Sequence, residues 1–161
     1  MKSPPDGHCP GVSHNEVFIK APPEVVFAVL ADPHAYSDWV MGAKRIRHYD
    51  PTWPEPGSEF HHTIGIGLLA VRDKTTSVEL NTPKRIVLEA RAMPAGIARV
   101  AIDIEQEGDG SRVVMEEHPI GGPGAVFYNR IADLVVRVRN AESLRRLKEI
   151  AEARAKIVGR A

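Results

Sequence analysis

The chain changes its hydrophobic rhythm three times. Near the start "NEVFIKA" alternates apolar and polar positions and predicts a short strand from about Glu16 to Lys20. In "APPEVVFAVLADPH", Val25, Val26, Val29 and Leu30 then recur at helical spacing behind Pro22 and Pro23, which suit a first turn because no intrahelical donor is lost there. The residue before Pro33 is pushed away from helical geometry, so this helix ends at "ADP". From Lys44 onward the period falls to two in six segments: "AKRIRHYD", "SEFHHTIGIG", "AVRDKTTSVEL", "KRIVLEARA", "IARVAIDIEQ" and "SRVVMEEHP". Ile86, Leu88 and Ala90 alternate with Arg85, Glu89 and Arg91, while Ala98, Val100, Ile102 and Ile104 alternate with Arg99, Asp103 and Glu105. One dry face and one wet face are what an antiparallel meander requires. After "GGPG" the rhythm becomes helical again, and Phe127, Ile131, Leu134, Val138, Ala141, Leu144, Leu147 and Ala151 predict one helix over about residues 124–153. At 1.5 Å per residue it spans about 45 Å, enough to cross a sheet.

The predicted fold class is therefore α+β: a seven-stranded antiparallel sheet wrapped around a long C-terminal helix, with a short helical segment after the first strand. A single domain over residues 13–153 is expected, with a Pro- and Gly-rich flexible tail over 1–12 and a C-terminal tail over 154–161. The length of 161 residues and the 43% hydrophobic and 26% charged composition suit one globular domain. Lys plus Arg equal Asp plus Glu, 21 against 21. The chain as a whole thus lacks the positive field that accompanies nucleic-acid or anionic-membrane partners, although a local patch escapes such a count. No apolar run approaches the ~20 residues that stable membrane insertion needs. The start "MKSPPDGHCPGV" has no apolar signal segment, and Cys9 is the only cysteine. The expected location is cytoplasmic, without an internal disulfide, as a monomer or homodimer.

This order of elements resembles the helix-grip fold of the START-like, or SRPBCC, superfamily. "APPEVVFAVLADPHAYSDW", the "PGSEF" turn, "NTPKRIVLEA" and "RNAESLRRLKEIAE" resemble its polyketide cyclase/dehydrase branch, and the likeness covers about residues 13–153. The resemblance implies a hydrophobic cavity between sheet and last helix. It also implies an apolar small-molecule partner, lipid- or polyketide-like, held by a carrier or sensor; the alternative is a cofactor-independent polyketide cyclase or dehydratase using acid-base groups in the same cavity. The early helix would then plug one end of the grip, with the exposed-looking Tyr36 and Trp39 nearby. Because one fold hosts many functions, the chemistry has to be argued from particular residues.

Polar residues whose alternation puts them on the dry face are the candidates. In "SRVVMEEHP", Val113, Met115 and Glu117 share a face, so Glu117 points inward, either as a general acid or base or as a rim carboxylate bonded to the last helix. In "SEFHHTIGIG", Phe60, His62 and Ile64 share a face with Ile66, and His62 is either a proton shuttle or a hydrogen-bonded core histidine. Phe60, Ile64, Ile102, Met115, Tyr128, Ile131 and Trp39 are the expected ligand-lining residues, with Trp39 doubling as a packing anchor. Asn140 reads as structural. His61 and His62 diverge on a strand, and His8, Cys9 and His14 belong to or flank the tail, so no metal site is expected. "GGPGA" and "GIG" read as turns: neither a phosphate loop nor a dinucleotide fingerprint is present, and no cofactor is expected.

Overall fold

The computed structural model describes residues 12–66, 69–92, 96–123 and 130–159. Strand β1 (Ser13–Ile19) leads into helix α1 (Pro23–Leu30) and a single turn of helix, α2 (Tyr36–Trp39). Six strands follow: β2 (Ala43–Tyr49), β3 (Glu59–Ile66), β4 (Leu69–Asn81), β5 (Arg85–Ala92), β6 (Gly96–Glu107) and β7 (Gly110–Gly121). Helix α3 (Arg130–Val158) ends the described chain and continues past residue 153, where the spacing alone ends it. The expected tail over 1–12 falls almost wholly outside the described residues.

The seven strands form one antiparallel sheet in the order β1-β7-β6-β5-β4-β3-β2. Strands β2 to β7 are a meander, and the first strand is added beside the last. The edge strands are β1 and β2, and the register of β2 slips twice against β3. Lys44, Arg45 and Arg47 of β2 are exposed, a charged edge that discourages pairing with another chain. Gly96 opens β6 at φ +130, and a Cβ there would lie 2.1 Å from the carbonyl oxygen of Gly121. Only glycine fits that close crossing.

The core lies between the concave face of the sheet and the three helices. Val26, Phe27, Val29 and Leu30 of α1 are buried, as are Leu144, Leu147 and Ala151 of α3, against Ile86, Ile102, Ile104 and Val113 of the sheet. Asp32, just past α1, accepts from Arg154 Nη2 at 2.9 Å and ties the short helix to the long one. Tyr36 and Trp39, exposed-looking in the sequence, are 7% and 3% exposed. They sit on a helical turn folded beneath α3, where large aromatic area is buried.

The long helix departs from the expected stripe. Ile131, Leu134, Val135 and Val138 are 60–74% exposed, whereas Asn140, Ser143, Leu144, Leu147 and Ala151 are buried. The reason is angular. Leu134 and Leu147 are thirteen positions apart, which at about 100° per residue places them about 140° apart around the axis. A run of three-residue steps between Val138 and Leu147 rotates the apolar stripe off its original face. The first half of α3 therefore presents its apolar side outward. Asp133 and Arg137, ion-paired at 2.8 Å, are more sheltered there than the leucine and valines.

Candidate functional site

A row of small side chains makes room for a cavity. Thr75 of β4 faces Ala90 of β5, which faces Ala98 of β6. Asn140 and Ser143 of α3 lie across this trough, so short side chains meet short side chains and leave a space of about 100 Å³. Leu88, Val100 and Met115 complete its apolar sheet wall, and Tyr36 and Trp39 close it from α2. It is thus α2 and the turn after it, rather than α1, that wall the cavity.

Two polar groups enter this apolar space. The first joins the last strand to the last helix. Glu117, 6% exposed, accepts through Oε2 from Asn140 Nδ2 at 2.9 Å and from the Arg139 guanidinium. Asn140 Oδ1 in turn accepts from Arg139 Nε at 3.3 Å, closing a three-residue network that balances the buried carboxylate. Ser143 Oγ accepts from the Met41 amide at 3.0 Å and donates to the Arg139 carbonyl at 3.0 Å, fixing the α2–β2 turn to the helix.

The second polar group lies under α2. His62, 2% exposed, stands opposite Asp73 in the β3–β4 ladder. Tyr36 packs edge-on against Phe60 with ring centroids 4.5 Å apart and lies 5.5 Å from the His62 ring; its hydroxyl is 3.5 Å from Thr75 Oγ1. Burial pushes the His62 imidazole below its ordinary value, with Asp73 pulling the other way. The ring is therefore neutral at pH 7. Burial likewise pushes the Tyr36 phenol up, opposed by its Thr75 contact, and keeps it protonated. His62 Nδ1 and Trp39 Nε1 are buried without a hydrogen-bond partner among the described residues. Both belong to residues that line the cavity. Buried polar atoms are nearly always paired, and these two lie on residues around one small space.

Of the residues named from sequence, Glu117, His62, Met115 and Trp39 meet at the cavity. Phe60 and Ile102 are fully buried in the core but do not line it. Ile131 does not line it either: at 74% exposure it faces outward, because the first half of α3 is rotated away from the core. The Ile64 side chain and Tyr128 lie outside the described residues, as do His8 and Cys9. Glu117 lines the cavity and is bonded to the last helix, the second of the two arrangements read for it. Sequence reasoning passed over Arg139, Ser143 and Thr75 and gave Asn140 only a structural part. The available signal was the appearance of Asn140 and Ser143 on the same helix face as Leu144 and Leu147, since a polar residue on a buried stripe needs a partner.

An antiparallel sheet gripping a long helix, with a small and mainly apolar cavity between them, is the helix-grip arrangement of α+β proteins. Within that class the chain belongs to the family described as polyketide cyclase / dehydrase and lipid transport, which matches residues 12–152. Solved structures share the fold. Protein CV1439 from Chromobacterium violaceum is 18% identical with a TM-score of 0.70, over 89% of this chain and 99% of its own. Protein NE0264 from Nitrosomonas europaea is 14% identical with a TM-score of 0.72, over 91% and 97%. The di-domain ARO/CYC StfQ of the steffimycin biosynthetic pathway is 14% identical with a TM-score of 0.71, over 91% of this chain and 52% of its own. No curated protein sequence matches the chain. Among the described residues no helix is long and apolar enough to cross a membrane.

Proposed function

We propose that the protein binds a hydrophobic small molecule, lipid- or polyketide-like, with at least one buried oxygen, and acts as its carrier or sensor. The observation that carries this reading is the pairing of a mainly apolar cavity wall with two buried nitrogens, on His62 and Trp39, that have no hydrogen-bond partner among the described residues. An empty apolar space of this kind needs no polar partner, whereas these two atoms do. The size of the cavity, about 100 Å³, suits one ring or a short chain segment rather than a whole drug-sized molecule, for which ~300 Å³ or more is usual. The test is native mass spectrometry of the freshly purified protein, followed by solvent extraction and identification of any retained compound. Recovery of a stoichiometric apolar compound supports the reading. Consistent recovery of empty protein, together with failure to bind any of a panel of aromatic and acyl probes, defeats it.

A second reading rests on His62. A buried neutral imidazole with a free ring nitrogen at a cavity wall is equipped to take a proton from a bound carbon acid, as polyketide cyclisation or dehydration requires. The StfQ likeness adds the fold in which such a pocket would sit. Under this reading His62→Ala lowers turnover of a polyketide-like substrate about 100-fold or more while binding is nearly kept. Under the carrier reading the same substitution changes affinity by a small factor and there is no turnover to lose.

A further inference from the structure

The pairing of β4 with β5 ends above the cavity. The β4–β5 ladder stops at Thr75 and Ala90, yet β4 runs on to Leu69 against β3 and β5 runs on to Ala92 against β6. Beyond that last pair the ladder between the two hairpins is parted over Arg91 and Ala92 of β5, which pair with β6 alone. On the outer side a groove of about 280 Å³ lies over this parting, bordered by Arg47, His61, Arg72, Asp73, Lys74 and Arg91. Arg91 borders the interior cavity as well. Outer groove and inner cavity therefore share one residue, which stands just past the last β4–β5 pair.

The groove is strongly basic in a chain whose total charge is zero. Glu59 is bonded to Lys74 Nζ at 2.6 Å and to His61 Nε2 at 3.1 Å, so those two are already matched. Asp73 is 5% exposed and accepts from its neighbour's backbone amide, at Lys74, at 2.9 Å. Arg47, Arg72 and Arg91 are exposed, and among the described residues none of them forms an ion pair. Arg47 donates only to the His62 carbonyl, at 3.4 Å. Edge protection explains a cation on β2, but Arg72 and Arg91 lie on interior strands, where neighbouring like charges repel. A bound anion would remove that repulsion, and arginine's planar fork suits carboxylate and phosphate oxygens.

We propose that the parting between β4 and β5 is a lateral, anion-selective entrance, and that the ligand is an amphiphile whose oxyanion head, carboxylate or phosphate, rests on Arg47, Arg72 and Arg91 while its apolar end enters the cavity. This rests on the ligand-binding reading above and narrows it. It also accounts for the small cavity, which needs to take only the apolar end.

The test uses decanoic acid and its methyl ester, which differ in head charge and share one plain acyl chain, titrated by calorimetry against the full chain and against the R72A/R91A variant. A variant with the wild-type circular dichroism spectrum and denaturant midpoint is required, with Arg72→Gln/Arg91→Gln as the substitute if the alanine pair misfolds. The expected result is that the acid binds at least about tenfold more tightly than the ester, the factor a charge-assisted contact provides. The double variant then loses that preference, its affinity for the acid falling to its affinity for the ester. Raising the salt weakens the acid alone, and dodecyl phosphate displaces the bound acid where dodecanol at equal concentration does not. Equal affinity for acid and ester, or a preference unchanged in the variant, overturns the entrance while leaving the cavity reading intact. Displacement by inorganic phosphate as readily as by dodecyl phosphate marks an isolated ion site and also overturns it. If neither probe binds, the cavity reading falls and the entrance falls with it.

Discussion

Glu117 of β7 accepts a hydrogen bond from Asn140 of α3 at 2.9 Å, so the inward carboxylate of the last strand and the inward amide of the last helix are joined in the cavity wall. Hydrogen bonds to charged groups contribute about 1.5–3 kcal/mol, more than neutral ones. Asn140→Leu removes the donor and leaves Glu117 to Arg139, which is partly exposed. Denaturant titration is expected to show a loss of about 1–3 kcal/mol. A variant as stable as the parent would mean that Arg139 and solvent satisfy the carboxylate unaided.

Stability should fall in mild acid through His62. Its folded-state pKa is depressed below the ordinary 6.5 by burial, with Asp73 opposing. The unfolded chain therefore takes up the proton first, and stability falls as pH drops below about 6.5, levelling only once the folded state is protonated too. The contribution is fully present above that pH. Urea midpoints measured between pH 5 and 8 should slope in this sense in the parent and flatten in His62→Gln. An unchanged slope would assign it to other groups.

The two halves of the last helix should respond oppositely to truncation. Leu147 is fully buried and Leu134 is 61% exposed. Leu147→Ala is expected to cost about 2–5 kcal/mol, and Leu134→Ala to fall within about 0.5 kcal/mol of the parent. Comparable losses at both sites would show that the first half of the helix is covered in solution.

Gly96→Ala should destabilise the junction between β6 and β7. The added methyl would meet the Gly121 carbonyl oxygen 2.1 Å away, at a backbone angle that side chains disfavour. Strain of this kind costs about 1–3 kcal/mol, and more when backbone has to move. A melting temperature equal to the parent's would argue against the close crossing.

The strands were legible because one face of each is wet. In β7 the simple alternation of Val113, Met115 and Glu117 with Arg112 and Glu116 placed the carboxylate on the correct side. The cavity was less legible, since it depends on Thr75, Ala90 and Ala98 lining up across three strands, a register that no single segment encodes. The last helix misled for a related reason. Leu134 and Leu147 are equally apolar, and only the angle between them reveals that they cannot face the same neighbour. Tyr36 and Trp39 looked exposed because their turn is flanked by polar residues, whereas tertiary packing against Phe60 buries the tyrosine ring. Arg72 and Arg91 read as the ordinary wet face of two strands, and their convergence appears only with the parting of the sheet.

The pairing of the first strand with the last has a consequence for how the chain reaches its native state. Ser13 lies opposite Glu117, about a hundred residues later in the chain. Strands β2 to β7 can zip through successive hairpins, each closing a short loop, but β1 has no partner until β7 exists. On a ribosome adding roughly 5–20 residues per second, β1 waits for several seconds after it is made. Its neighbours in sequence, the apolar turns of α1, wait with it, because Val26 and Val29 are buried only once the core assembles. Such long-range closure places the protein among slower-folding topologies, on the millisecond-to-second scale. The docking of β1 is then expected to follow the pairing of β2 to β7.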